Sequence, residues 1–140
     1  MPLFFMLYAA KRNPLGFYAE RCLEISEQHG FRHWLGLSRS IRDICAAVLG
    51  SPGSRLDEVK TAVDEYRSAG YQLGVTVQFV LLCPALLHHN QPEVALEAID
   101  QGLSIVSHNS ERFFEAELYR LKARALSFCA ARPILRWSPF

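Results

Sequence analysis

The chain has 140 residues, half of them hydrophobic and 21% charged, with a formal net charge of +1. That is enough sequence for one domain with its own core. The nearly balanced charge leaves no broad field to gather nucleic acid or an anionic membrane, and no stretch reaches the roughly 18 unbroken apolar residues that a membrane span needs.

The opening stretch MPLFFMLYAAKRN lacks a basic residue ahead of its short apolar run. It is therefore expected to be a first, partly buried helix over about residues 3–11, not a signal peptide. Asn13-Pro14 closes it, and a second helix follows over about 15–29, ending at Gly30. A third, about 32–49, carries Trp34, Leu37, Ile41, Ile44 and Val48 at steps of three and four, the spacing of one apolar helical stripe. GSPGS, residues 50–54, is a turn. Ser54 with Asp57 makes a capping-box-like start to a fourth helix, about 54–69, with the stripe Leu56, Val59, Val63 and Tyr66.

Gly70 closes that helix, as glycine does where the chain turns left-handed. The fifth helix, about 72–89, is the most apolar segment, interrupted by Gly74, Thr76, Gln78 and Pro84. Pro84 lacks an amide donor and is expected to bend it near Val80. Pro92 suits the first turn of a sixth helix, about 92–107, with Asn90 or Gln91 as its cap. Leu96, Ile99, Leu103 and Val106 form its stripe. Ser110 is the expected cap of a seventh, about 111–129, with the stripe Phe114, Leu118, Leu121, Ala125 and Phe128. No segment alternates in the manner of a strand. Residues 1–130 read as one helical domain and 131–140 as a tail outside the pattern.

Short connections force antiparallel neighbours, so the chain reads as a string of helical hairpins. The closures at Gly30, Gly70 and Asn109 recur about every 40 residues, and an aromatic opens the helix after each. Two helices per unit at a fixed period indicate an all-α superhelix, in which stacked hairpins bury faces that one hairpin cannot bury alone. In the clearest unit, Phe79, Leu82, Cys83, Leu86, Asn90, Ala95, Ile99 and Gly102 fall on the tetratricopeptide spacing. Small Cys83, Ala95 and Gly102 occupy the positions where two helices come closest. In the preceding unit Gly50, Val59 and Ala62 fit, while Asp43 and Arg55 replace small residues.

Four segments carry a more particular likeness: HGFRHWLGLS (29–38), AVDEYRSAG (62–70), QPEVALEAIDQGL (91–103) and ERFFEAELYRLKARAL (111–126). Over roughly residues 1–128 the chain resembles the tetratricopeptide-like region that follows the ATPase module in bacterial adenylate/guanylate cyclase-type proteins and related transcriptional regulators. In that family's last segment Glu-Arg and aromatics precede Glu-Leu, an aromatic or His, Arg-Leu and a small residue. Here these are Glu111, Arg112, Phe113, Phe114, Glu117, Leu118, Tyr119, Arg120, Leu121 and Ala123. The resemblance implies a sensory or scaffolding segment. A Gly-rich phosphate loop, a cyclase and a DNA-binding helix pair are missing from these 140 residues, and the tail CAARPILRWSPF leaves the pattern.

No catalytic, metal or cofactor residues are expected. Glu111, Glu115 and Glu117 lie within two turns of one helix, where Glu117 with Arg120 reads as an i, i+3 pair and not as carboxylates across a cleft. His88 and His89 point about 100° apart, and Gly30 breaks the helix between His29 and His33. Cys22, Cys45, Cys83 and Cys129 lack ligand spacing and read as buried reduced thiols, which fits a cytoplasmic protein. Binding is expected on the side lined by the first helix of each pair: Leu37, Ser40, Ile44, Val77, Val80, Leu87, His88, Glu117, Arg120 and Arg124. The expected partner is a protein or peptide, with homodimer formation through the apolar ends of the stack. The alternative is a small-molecule sensor with Trp34, Phe79, Phe113 and Phe114 around a pocket.

Overall fold

The structure, a computed structural model, describes residues 14–48 and 56–132. Six α-helices account for nearly all of them: α1 (Pro14–His29), α2 (Arg32–Val48), α3 (Leu56–Ser68), α4 (Val75–His88), α5 (Pro92–Asn109) and α6 (Glu115–Ala131). A 3₁₀ turn, Arg112–Phe114, leads into α6. Among the described residues there is no strand. The expected helix over 3–11, the 50–54 turn with its Ser54 cap, and the tail from 133 onward lie outside the described residues.

Helices that follow one another in sequence pack together: α1 on α2; α3 on α2 and α4; α5 on α4 and α6. α4 packs on α2 and on α6 at least as extensively as it does on α3. α4 is thus enclosed by four neighbours, which explains its composition. Every residue from Val75 to Leu87 except Val77 is buried, and a helix apolar on all sides must be covered on all sides. The longest apolar run of the chain is therefore the centre of the domain. No helix among the described residues is long and apolar enough to cross a membrane.

Helix ends explain the short connections. Gly30 (φ 69°) and Gly70 (φ 86°) adopt the left-handed conformation expected of them, and the Phe31 N–H closes back on the Ser26 carbonyl at 3.0 Å. Asn90 and Ser110 correct the expected caps. Both are left-handed, at φ 59° and 57°, and each ends the helix before it instead of starting the next. The Asn90 and Gln91 N–H groups bond the Leu87 and Leu86 carbonyls at 3.1 and 2.9 Å, and the Ser110 N–H bonds the Val106 carbonyl at 3.0 Å. Ser and Asn are plausible at a helix start by their side chains, but two or three residues suffice for these turns only if one of them is left-handed. Pro92 does occupy the first turn of α5, behind Gln91, with no side-chain cap bond.

α4 starts at Val75, later than the sequence suggests, because Gly74 is left-handed (φ 77°). The Gly74 N–H is bonded by the Glu111 carboxylate at 3.3 Å, from the connection between α5 and α6. Pro84 is buried, and α4 continues as one helix through it to His88.

The stripes of α3 are buried as expected, but that of α5 is rotated. Ala95, Ala98, Ile99, Gly102 and Val106 are buried, while Leu96 and Leu103 lie at the margin. The reason is close approach: a Cβ placed on Gly102 would lie 3.2 Å from a Leu118 methyl and 3.3 Å from Cβ of Phe79. Cys83 Sγ sits 3.9 Å from the Ala95 carbonyl. The small residues at 83, 95 and 102 therefore mark where α4, α5 and α6 come together.

Candidate functional site

The residues projected onto the binding face separate into two groups. Leu37, Ser40, Ile44, Val80 and Leu87 are buried within the core, and Val77 is partly buried against it. They cannot touch a partner without opening the domain. Helical spacing places them on the correct side of α2 and α4, but that side faces the next helix of the row. His88, Glu117, Arg120 and Arg124 reach the surface wholly or in part.

On α6 the Arg120 guanidinium holds both Glu117 oxygens, at 2.6 and 2.7 Å, in a two-pronged pair. Hydrogen bonding to Glu117 raises the already high pKa of Arg120, and the carboxylate's charge adds to it. One turn on, the Arg124 guanidinium lies 5.9 Å from the centre of the Phe128 ring. This partly exposed face sets a paired charge and a second guanidinium beside an aromatic ring. The pairing of Glu117 with Arg120 was legible from sequence; the stacking on Phe128 was not, since it depends on rotamers.

The aromatic residues assigned to a sensor pocket do not converge. Phe79 is inside the core, Phe114 packs at its edge, and Phe113 is 94% exposed. Trp34 is about half exposed and helps line a shallow apolar groove of about 180 Å³ between α1 and α2, with Leu15, Tyr18 and Ile41.

A second cluster has no local signature in the sequence because its members are far apart in it. The buried Tyr66 hydroxyl donates to the Leu73 carbonyl at 2.8 Å. Having one proton, it accepts from the His33 ring, whose Nδ1 is 3.0 Å away. Tyr71 packs on both rings, with centroids 5.0 Å from Tyr66 and 5.3 Å from His33. Gly36 makes room for the Tyr66 ring: a Cβ there would meet it at 2.9 Å. The cluster ties the start of α2 to the end of α3 and to the connection entering α4.

Burial pushes the Tyr66 hydroxyl from 10.0 up to about 12, helped by the negative charge that Tyr71 and Glu111 place nearby. A proton is thus bound more tightly in the folded chain than in the unfolded one. This contribution to stability is full below pH 10 and should be lost as pH rises from 10 toward 12. Tyr66→Phe should cost about 1 kcal/mol at neutral pH, by unpairing the Leu73 carbonyl. It should also flatten that alkaline decline. Urea unfolding of both proteins at pH 8, 10 and 11 measures both effects; equal slopes would mean that Tyr66 is not the group responsible.

No disulfide joins the four thiols; Cys45 and Cys83 are buried as expected, whereas Cys22 and Cys129 are only partly so. Burial pushes Cys83 up to about 12, which keeps it protonated and a poor nucleophile. His88 and His89 sit ring-edge to ring-face, and His89 Nε2 is spent on the Ala47 carbonyl at 2.9 Å, tying α4 to the end of α2. Comparison of the chain with protein-family models, with curated proteins and with solved structures finds no match to any of them.

Proposed function

We propose that the chain is a tetratricopeptide-like superhelical module that acts through protein–protein contact, a free-standing or shortened copy of the repeat region of a signalling protein. The observation that carries this reading is the stepwise packing: α4 on α2 and α3, then α6 on α4 and α5. That is how stacked hairpins contact one another, each unit touching its neighbours alone. The interval of about 40 residues between Gly30, Gly70 and the end of α5 supports it.

Partner recognition is placed on α6, where Glu117, Arg120, Arg124 and Phe128 combine charge with apolar surface. The test is a pull-down from the source cell with wild type and with Arg120→Glu, Arg124→Glu, both checked for equal melting temperature. Loss of specific partners from the double variant is the expected result; identical partner lists would remove α6 as the recognition face.

The same reading favours self-association. Phe17 and Tyr18 on α1 and Leu126 and Phe128 on α6 are exposed on the first and last of the described helices, and exposed apolar faces at the ends of a stack associate. Light scattering should give the mass of a homodimer. A monomer persisting at high concentration would refute this part.

A further inference from the structure

Away from the α6 face, a cleft of about 340 Å³ opens between the end of α3, the connection into α4 and the last turns of α5. Its volume is at the small end of the roughly 300–1,000 Å³ range typical of ligand pockets. The buried side chains of Val75 and Ile105 contribute apolar surface beside the Tyr71 ring. Two basic residues, Arg67 and His108, line it, and no Asp or Glu does.

Both basic side chains are positioned. The Arg67 guanidinium carbon lies 5.9 Å from the centre of the Phe79 ring. Its one ion pair among the described residues, with Asp64, is a loose contact at 3.8 Å, which leaves most of its five N–H donors unspent by them. His108 Nδ1 is 2.7 Å from the Ser104 carbonyl. A carbonyl oxygen only accepts, so Nδ1 donates to it, and in the neutral ring Nε2 is left as the acceptor. Arg67 also sits in the last turn of its helix, where positive charge answers the helix dipole. That effect explains a basic residue at the end of α3. It does not explain the apolar floor beside it.

We propose that this cleft binds a small carboxylic acid that carries a hydrogen-bond donor beside its carboxylate and an apolar body. The carboxylate takes the planar N–H fork of Arg67, a geometry that guanidinium matches two-to-two. The donor bonds His108 Nε2. The apolar body lies over Val75 and Ile105 beside Tyr71, and Gln72 and Asn109 supply amides at the rim. This site is independent of partner recognition on α6.

The test is titration of the ¹⁵N-labelled full chain with N-acetylphenylalanine, which has all three features, and with its methyl ester, which lacks only the charge. Saturable shifts at Tyr71, His108 and Asn109, with a Kd below about 1 mM, are expected for the acid. The ester should bind at least about tenfold more weakly, as should the acid to Arg67→Met. Arg67→Met keeps the apolar stem over Phe79; should it unfold, Asn109→Asp at the exposed rim serves instead and should weaken the acid several-fold by repulsion. Equal binding of acid and ester, or no saturable shift up to about 10 mM, would overturn the proposal. So would clearly tighter binding of a tetrapeptide ending in free phenylalanine, which would move the site from metabolites to peptide ends.

Discussion

Replacing Phe79 with alanine is expected to cost about 3–5 kcal/mol of folding free energy, enough to leave a domain of ordinary stability partly unfolded at 37 °C. Phe79 is 2% exposed, on the helix that contacts α2, α3, α5 and α6. Its Cβ lies in the tight approach to Gly102 of α5, and Arg67 of α3 covers its ring. Removing the ring opens a cavity whose walls belong to different helices, so no single rotamer change can refill it. Urea unfolding should show a lower midpoint with an unchanged slope, the sign of lost stability without a changed unfolding unit. A loss below about 1 kcal/mol would mean that α4 is not the element around which the others are packed.

The second large effect is expected at Gly102→Val, at about 2–3 kcal/mol. The added Cβ alone would lie 3.2 and 3.3 Å from the two Leu118 methyls and 3.3 Å from Phe79 Cβ. Leu118 is fully buried, and Phe79 Cβ moves only with the α4 backbone. Valine adds two methyls beyond that point, so α5 must separate from α4 and α6 or the side chains must leave their rotamers. Gly102→Ala provides the internal control. It adds only the Cβ, and its helix propensity gain of about 1 kcal/mol offsets much of the crowding, so its net effect should be small. Thermal unfolding of both variants reads the contrast. Equal stability of the valine and alanine variants would contradict the close approach.

The face assigned to binding shows where helical spacing misleads. Leu37, Ile44, Val80 and Leu87 have the spacing of a groove, yet all are buried. Periodicity tells which residues share a face of a helix. It cannot tell whether that face meets solvent or the neighbouring helix, because this depends on what lies beyond. On α6, whose contacts are with α4 and α5, Arg120 stays exposed and Glu117 and Arg124 stay partly so. The cleft beside Arg67 and the Tyr66–His33 cluster were hidden for a related reason: Arg67 and His108, or His33 and Tyr66, are brought together by folding over tens of residues with no local signature.

The sequence by itself determined the six described helices, their order and most of their ends, since apolar steps of three and four and left-handed glycines act within a turn or two of the chain. It also marked Cys83, Ala95 and Gly102 as points of contact, because only small residues permit helices to approach that closely. The tertiary structure alone decided the rotation of the α5 stripe, the use of Asn90 and Ser110 as helix stops, and which apolar faces were covered. Each of these depends on the distance between chain segments remote in sequence, and that distance is set by the packing of the whole domain around α4.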